Sequence, residues 1–141
     1  MNYPRLAIAA VVATVFDAMY GYLVYGVLFA PEFARYPGVY RSAEAGQAYL
    51  PLMFGGLLIA IVAAAIVYAK GYEGGTGVAE GMRFGVLLGL FVVFTFPSVN
   101  YATLNIGRKL AAMTAAAGFV EWLFIGTIIG LVYKTAPKSL P

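Results

Sequence analysis

Cysteine and histidine are both missing from the 141 residues. Their absence excludes disulfides, thiolate nucleophiles, iron–sulfur clusters, the usual zinc sites and imidazole-ligated haem or pigment. It also removes the one side chain that ordinarily titrates near neutrality. Charge is scarce: 11% of residues are charged and 62% are apolar, where soluble domains have about 25% and roughly 45–50%. So few charges cannot cover a water-exposed fold, and the mean hydropathy of +0.86 points the same way. The nine basic and six acidic residues are scattered through short connections. No basic run suggests nucleic acid, and no polybasic tail suggests anionic headgroups. The chain reads as an integral membrane protein.

A hydrocarbon core about 30 Å thick needs roughly 20 apolar residues in helical form. Four stretches qualify, at residues 6–29, 49–68, 81–104 and 110–133. None alternates in polarity, and four strands cannot close a barrel, so helix is the expected structure. The expected fold is all-α: one transmembrane domain over residues 1–141, a four-helix bundle built from two helical hairpins. The first span, with one Arg before an Ala-rich run, could pass for a signal peptide. It is too long and contains Asp17, so it reads as a retained helix.

The boundaries carry recognisable punctuation. Pro4 and Pro51 suit first-turn positions, Pro31 and Pro137 follow span ends, and Thr76 is a plausible cap for the third span. Tyr36-Pro37-Gly38-Val39 in the first loop predicts a type II turn with Gly38 left-handed. Residues 42–47 are compatible with a short interfacial helix. The glycines of the second loop, Gly71, Gly74, Gly75 and Gly77, lack any phosphate-binding spacing. Glu80 and Arg83, three apart, are expected to pair.

Lipid gives helices no hydrophobic reason to associate, so small residues mark contact faces. Gly81, Gly85 and Gly89 recur every four residues on the third span, and Gly126 and Gly130 do so on the fourth. Gly56, Ala60 and Ala64 form the corresponding stripe on the second span, and Ala10, Ala13, Thr14, Asp17 and Gly21 that on the first. Most tyrosines fall near span ends and read as aromatic belts: Tyr3, Tyr68, Tyr72 and Tyr133 at one interface, Tyr25, Tyr36, Tyr40 and Tyr49 at the other.

Ionisable residues inside a span are expensive and are candidate functional groups. There are two, Asp17 and Glu121. Asp17 follows Arg5 by 12 residues and Glu121 precedes Lys134 by 13, so at 1.5 Å per residue both lie roughly 18–20 Å from the same face. Thr95 reaches that level on the third span. No Lys, Arg or His lies at their depth to neutralise the carboxyls, so at least one is expected to carry a proton. The pair is open to three readings: structural glue, a proton relay or cation site, or contact with a cationic group of another chain. Pro97 is expected to kink the third span and to leave the Val93 carbonyl without its donor. Thr95, Ser98, Asn100 and Tyr101 make the surrounding stretch polar, and Tyr20 and Tyr22 lie at comparable depth. Trp122, beside Glu121, sits near mid-bilayer.

The segments Tyr25-Gly-Val-Leu-Phe29, Ala79-Glu-Gly-Met-Arg-Phe-Gly85 and Asn100-Tyr101, with the Gly126/Gly130 end of the last span, resemble an uncharacterised group of small bacterial four-helix membrane proteins. The resemblance covers most of the chain. It implies the fold and transfers no catalytic residue.

Nothing in the chain forms a nucleophile–base or metal constellation, so no enzyme, metal or cofactor is expected. The size and the small-residue faces suit a non-catalytic accessory or assembly subunit of a larger membrane complex. Its partners would be the bilayer and other membrane subunits or copies of itself. The alternative is a small proton- or cation-coupled transporter or channel using Asp17 and Glu121. Five basic residues (Arg5, Lys70, Arg83, Lys134, Lys138) on the terminal face oppose four (Arg35, Arg41, Arg108, Lys109) on the other. That balance leans towards both termini being cytoplasmic, in a cytoplasmic (inner) membrane.

Overall fold

The chain, seen in a computed structural model, is described over residues 1–133; Lys134, Pro137 and Lys138 lie outside the described residues. Among those described, all regular structure is helical, and four stretches are long and apolar enough to cross a membrane. The first is α1 (Tyr3–Gly21) continued by a π-helical segment (Tyr22–Leu28). Two short helices, α2 (Ala30–Phe33) and α3 (Ala43–Gln47), occupy the first loop. The second span is α4 (Leu50–Gly71) and the third is α5 (Gly77–Thr95) followed by α6 (Pro97–Thr103). The fourth is α7 (Arg108–Tyr133).

The helix starts follow the local chemistry. Asn2 caps α1, its side-chain oxygen accepting from the Arg5 N–H at 3.2 Å, and Pro4 lies in the first turn. Ser42 caps α3 in the same way, accepting from the Ala45 N–H. Thr76 occupies the cap position of α5 without a side-chain bond. The orphan N–H of Gly75 is met instead by Glu80 Oε1. Glu80 is thereby turned towards the loop, and Arg83 stays exposed with no ion pair among the described residues. The expected Glu80–Arg83 pair is replaced because a loop amide without a partner is the nearer donor.

The turn at Tyr36–Val39 also differs from expectation. Gly38 is not left-handed; among the described residues only Gly74 has a positive φ, of 90°. The Tyr36 carbonyl accepts from both Val39 N–H (2.9 Å) and Tyr40 N–H (3.0 Å), a helix-like turn that keeps Gly38 right-handed. It places the Tyr40 ring edge-on against Phe33, with centroids 4.9 Å apart.

Two hairpins, α1/α4 and α5/α7, are joined through α1 and α7, and α7 touches every other span. The α5/α7 contact is by far the most extensive. It is built on the glycines: Gly81, Gly85 and Gly89 are buried against Gly126, Gly130 and the ring of Phe119. A Cβ on Gly81 would lie 2.7 Å from the Gly126 carbonyl oxygen, and one on Gly85 2.7 Å from that of Leu123. Gly77, read above as a loop glycine, continues the same row, with the Gly130 carbonyl directly over it. Backbone-to-backbone approach of this kind is how helices gain van der Waals contact in lipid.

The α1/α4 hairpin is looser. Ala9, Ala10 and Ala13 of α1 pack on Ile61, Ala64 and Ala65 of α4. The first half of α4 meets little: Gly56 and Ala60 are exposed, and Cβ atoms on Gly55 and Gly56 would meet nothing within 4 Å. That half of the expected α4 stripe therefore has no neighbour among the described residues. Tyr68, Tyr72 and Tyr133 are not belt residues either. Their ring centroids lie 5.9 Å from one another, Tyr68 and Tyr133 are buried, and the Tyr133 hydroxyl accepts from the Asn2 N–H.

Candidate functional site

Asp17 lies on the buried stripe of α1, 2% exposed, and its Oδ2 has no hydrogen-bond partner among the described residues. The α1/α7 contact brings it opposite Glu121, within side-chain hydrogen-bonding reach. Glu121 Oε2 also accepts from the Tyr25 hydroxyl at 3.0 Å. One turn away on α7, the Ala117 carbonyl accepts from the Tyr20 hydroxyl at 2.9 Å.

The π-helical segment makes this arrangement possible. Residues five apart diverge by roughly 140° around an α-helix, which would point Tyr20 and Tyr25 to different sides. Bonding from each N–H to the fifth preceding carbonyl, as in Phe29 N–H to Val24 O at 2.8 Å, brings them back towards one face. Their rings meet edge-on with centroids 6.3 Å apart, and both hydroxyls reach α7. Tyr22, phased away, is 68% exposed.

From Glu121 a cavity of about 270 Å³ runs towards the first-loop face. Its walls are Tyr25 and Phe33 on one side, Val92, Phe96, Pro97 and Asn100 on another, and Thr114 and Gly118 of α7, with Tyr40 and Ile106 nearer the loops. Pro97 has lost its N–H, and the Ser98 hydroxyl donates to the freed Val93 carbonyl at 3.0 Å. The expected kink is present, with Phe96 at φ −102°, ψ −66° separating α5 from α6, and the Val93 carbonyl it frees is taken up by Ser98. Two irregular helix segments, one π-helical and one proline-bent, thus face each other across it.

The first loop is pinned over this end of the bundle. Glu32, 6% exposed, holds Lys109 Nζ at 2.6 Å and Arg35 at 3.4 Å, and the Gly107 N–H donates to the Tyr36 hydroxyl at 3.1 Å. The Lys109 hydrogen bond holds the Glu32 carboxyl below its usual range, outweighing burial, and Arg35 adds to the effect.

The expected polar residues divide. Asp17 and Glu121 meet; Pro97 and Asn100 line the cavity above them. Thr95 and Tyr101 are exposed on the outer side of the third span and do not reach the carboxyls. Thr95 has the expected depth, but its azimuth on α5 points away from α7. Trp122 turns to the opposite side of α7 from the cavity and packs against the apolar core. Tyr25 and Tyr40, read from the sequence as belt residues, belong to the site. So do Phe33 and Thr114. The trace that the sequence holds of Tyr25 is its five-residue spacing from Tyr20, with Gly21 and Gly26 following each tyrosine.

Four apolar spans around a buried carboxyl pair define a polytopic α-helical membrane protein. The chain belongs to the family described as "Protein of unknown function (DUF1761)", whose model matches residues 8–130. Comparison with curated proteins and with solved structures gave no match.

Proposed function

We propose that this protein is a small proton-coupled carrier whose Asp17–Glu121 pair is the proton-binding centre, reached from one side of the membrane through the cavity above Glu121. The observation that carries the reading is Asp17: an almost fully buried carboxyl with an unpartnered oxygen, set against a second carboxyl at membrane depth. Structural glue does not call for it, since a bundle gains more from satisfied donors and acceptors than from an orphaned one. The cavity supplies a route for exchange, and the bent third span and π-helical segment supply elements that can repack. With both termini cytoplasmic, the cavity faces outward. The reading assigns no covalent chemistry.

A second reading, an accessory subunit of a larger assembly, is supported by the first half of α4, whose small residues have no neighbour among the described residues. The native mass in mild detergent separates the two: a stoichiometric assembly with other chains favours the subunit, a lone chain or homo-oligomer the carrier.

The carrier reading is tested in liposomes carrying an internal pH dye, with a potassium diffusion potential drawing protons inward. Asp17→Asn and Glu121→Gln should each lower proton uptake by about tenfold or more while the protein keeps its native size and thermal transition. Uptake unchanged in both folded variants overturns the reading.

A further inference from the structure

We infer that the cavity above Glu121 binds a small organic ammonium ion, held between aromatic rings with its charge towards the carboxyl pair; this rests on the carrier reading and names a cation that the same centre takes in competition with the proton. Two independent features of the cavity agree on the ligand. The first is its charge. With one carboxyl of Asp17 and Glu121 ionised, its base carries a negative charge, and no Lys, Arg or His lies at the depth of the pair to offset it; the basic residues of the spans, Arg5, Lys70, Arg83, Arg108 and Lys109, stand near their ends. The second is its walls. Tyr25, Phe33 and Tyr40, with the more exposed Phe96, line one space, and ring faces attract cations, more strongly when both are shielded from water. Asn100 and Thr114 offer polar contacts without charge.

Size and surroundings narrow the class. A volume of about 270 Å³ lies just below the usual range of small-molecule sites, which suits on the order of ten non-hydrogen atoms. A bare metal ion would leave the aromatic walls unused. An anion would meet the carboxyls. The basic residues near the mouth are largely engaged: Lys109 and Arg35 on Glu32, and Arg41 over the Tyr49 ring at 4.0 Å from its centroid.

The proton balance is simple. The titratable groups facing Glu121 are Asp17, Tyr20 and Tyr25, with Tyr40 on the same cavity from the first loop; α5 and α6 bring only Tyr101, which is exposed, and α4 brings none to this end. The cation neutralises the singly protonated pair. A second proton on the pair removes the charge and competes with the cation, so under acid conditions each ion bound releases one proton to solvent.

Calorimetric titration of the purified full chain in detergent with benzyltrimethylammonium tests this, with neopentylbenzene as its uncharged counterpart of the same shape. We expect saturable binding of the cation that the neutral compound does not displace, weakening by up to tenfold per pH unit on acidification. Glu121→Gln should lose more than tenfold in affinity, and Phe96→Leu or Tyr40→Leu about threefold each. Absence of saturable binding by the folded protein, or equal competition by neopentylbenzene, overturns the inference. Proton release after an alkaline jump, present in the wild type and absent from a folded Asp17→Asn/Glu121→Gln double variant, then shows whether the carrier reading survives. If that release is unchanged in the double variant, both fall.

Discussion

The two ends of the bundle are built on opposite principles. Towards the N-terminal face, α5 and α7 approach backbone to backbone along Gly77, Gly81, Gly126 and Gly130, and the rings of Tyr68, Tyr72 and Tyr133 meet tilted or edge-on. Towards the first-loop face, α1 gives way to a π-helix, the third span bends at Pro97, and the first half of α4 stands without a neighbour. Between these irregular segments lies the cavity. Dense packing in lipid depends on small residues in register, and where the register stops, room opens for side chains that do something other than pack. The carboxyl pair sits at the junction of the two regimes, anchored by the rigid end and open to the loose one.

That contrast can be broken most severely at the glycines. Gly81→Ala or Gly130→Ala would drive a methyl group into the facing helix backbone, which cannot yield as a side chain can. We expect a loss of about 3 kcal/mol, or failure to accumulate folded protein, read from denaturation in detergent. A loss below about 1 kcal/mol would mean that the α5/α7 contact is not close-packed.

At the junction, Tyr25→Phe removes the hydroxyl that Glu121 accepts and leaves a carboxyl oxygen unpaired at membrane depth. The expected cost is about 1–3 kcal/mol, with the overall helix content retained by circular dichroism. Tyr22→Phe, on the exposed side of the same segment, is the matched control and should be silent.

The loop clamp gives a smaller, pH-dependent effect. Because Lys109 holds the Glu32 carboxyl below its ordinary value of 4.5, the ionised form favours the folded state. Its contribution is complete above that value and is lost as pH falls through the lower, folded-state value. The thermal transition of the wild type should therefore decline towards that of Glu32→Gln on acidification, the two converging below the folded-state value. A constant difference between them across the acid range would assign the clamp a role independent of Glu32 ionisation.

The smallest effect is expected at Gly118, on the loose side of α7. A Cβ there would meet Val92 Cγ1 at 3.6 Å and the Tyr25 hydroxyl at 3.9 Å, both ordinary contacts. Gly118→Ala should stay within about 1 kcal/mol of the wild type and tend to stabilise, since the helix gains from alanine. Set beside Gly81→Ala, the same change one hairpin face away, it measures the difference between the two ends directly.

Much of the fold was legible because the controlling quantities are one-dimensional. The number of spans follows from apolar length against bilayer thickness, and the observed helices begin and end within a few residues of the expected ones. The α5 and α7 glycine repeats announce their own contact faces. The α4 stripe shows the limit of that argument: small residues permit close approach, yet Gly56 and Ala60 have nothing to approach. Belt assignments failed for a related reason. Tyr68, Tyr133 and Tyr25 lie near span ends, but distance from the end does not say whether a ring faces lipid or a neighbouring helix.

For the site, the sequence by itself determined depth. The rise per residue is constant along a helix, so Asp17 and Glu121 were placed at one level by counting alone. Only the tertiary structure decided azimuth. Which helices are neighbours, and how each is rotated, brought the two carboxyls together and turned Thr95 away. A change in helical winding aligned Tyr20 with Tyr25, and the Glu32–Lys109 contact joined residues 77 positions apart. Direction around a helix shifts by roughly 100° with each residue, so a single π-helical turn or proline bend redirects everything beyond it. Depth tolerates such an irregularity; a binding site is made by it.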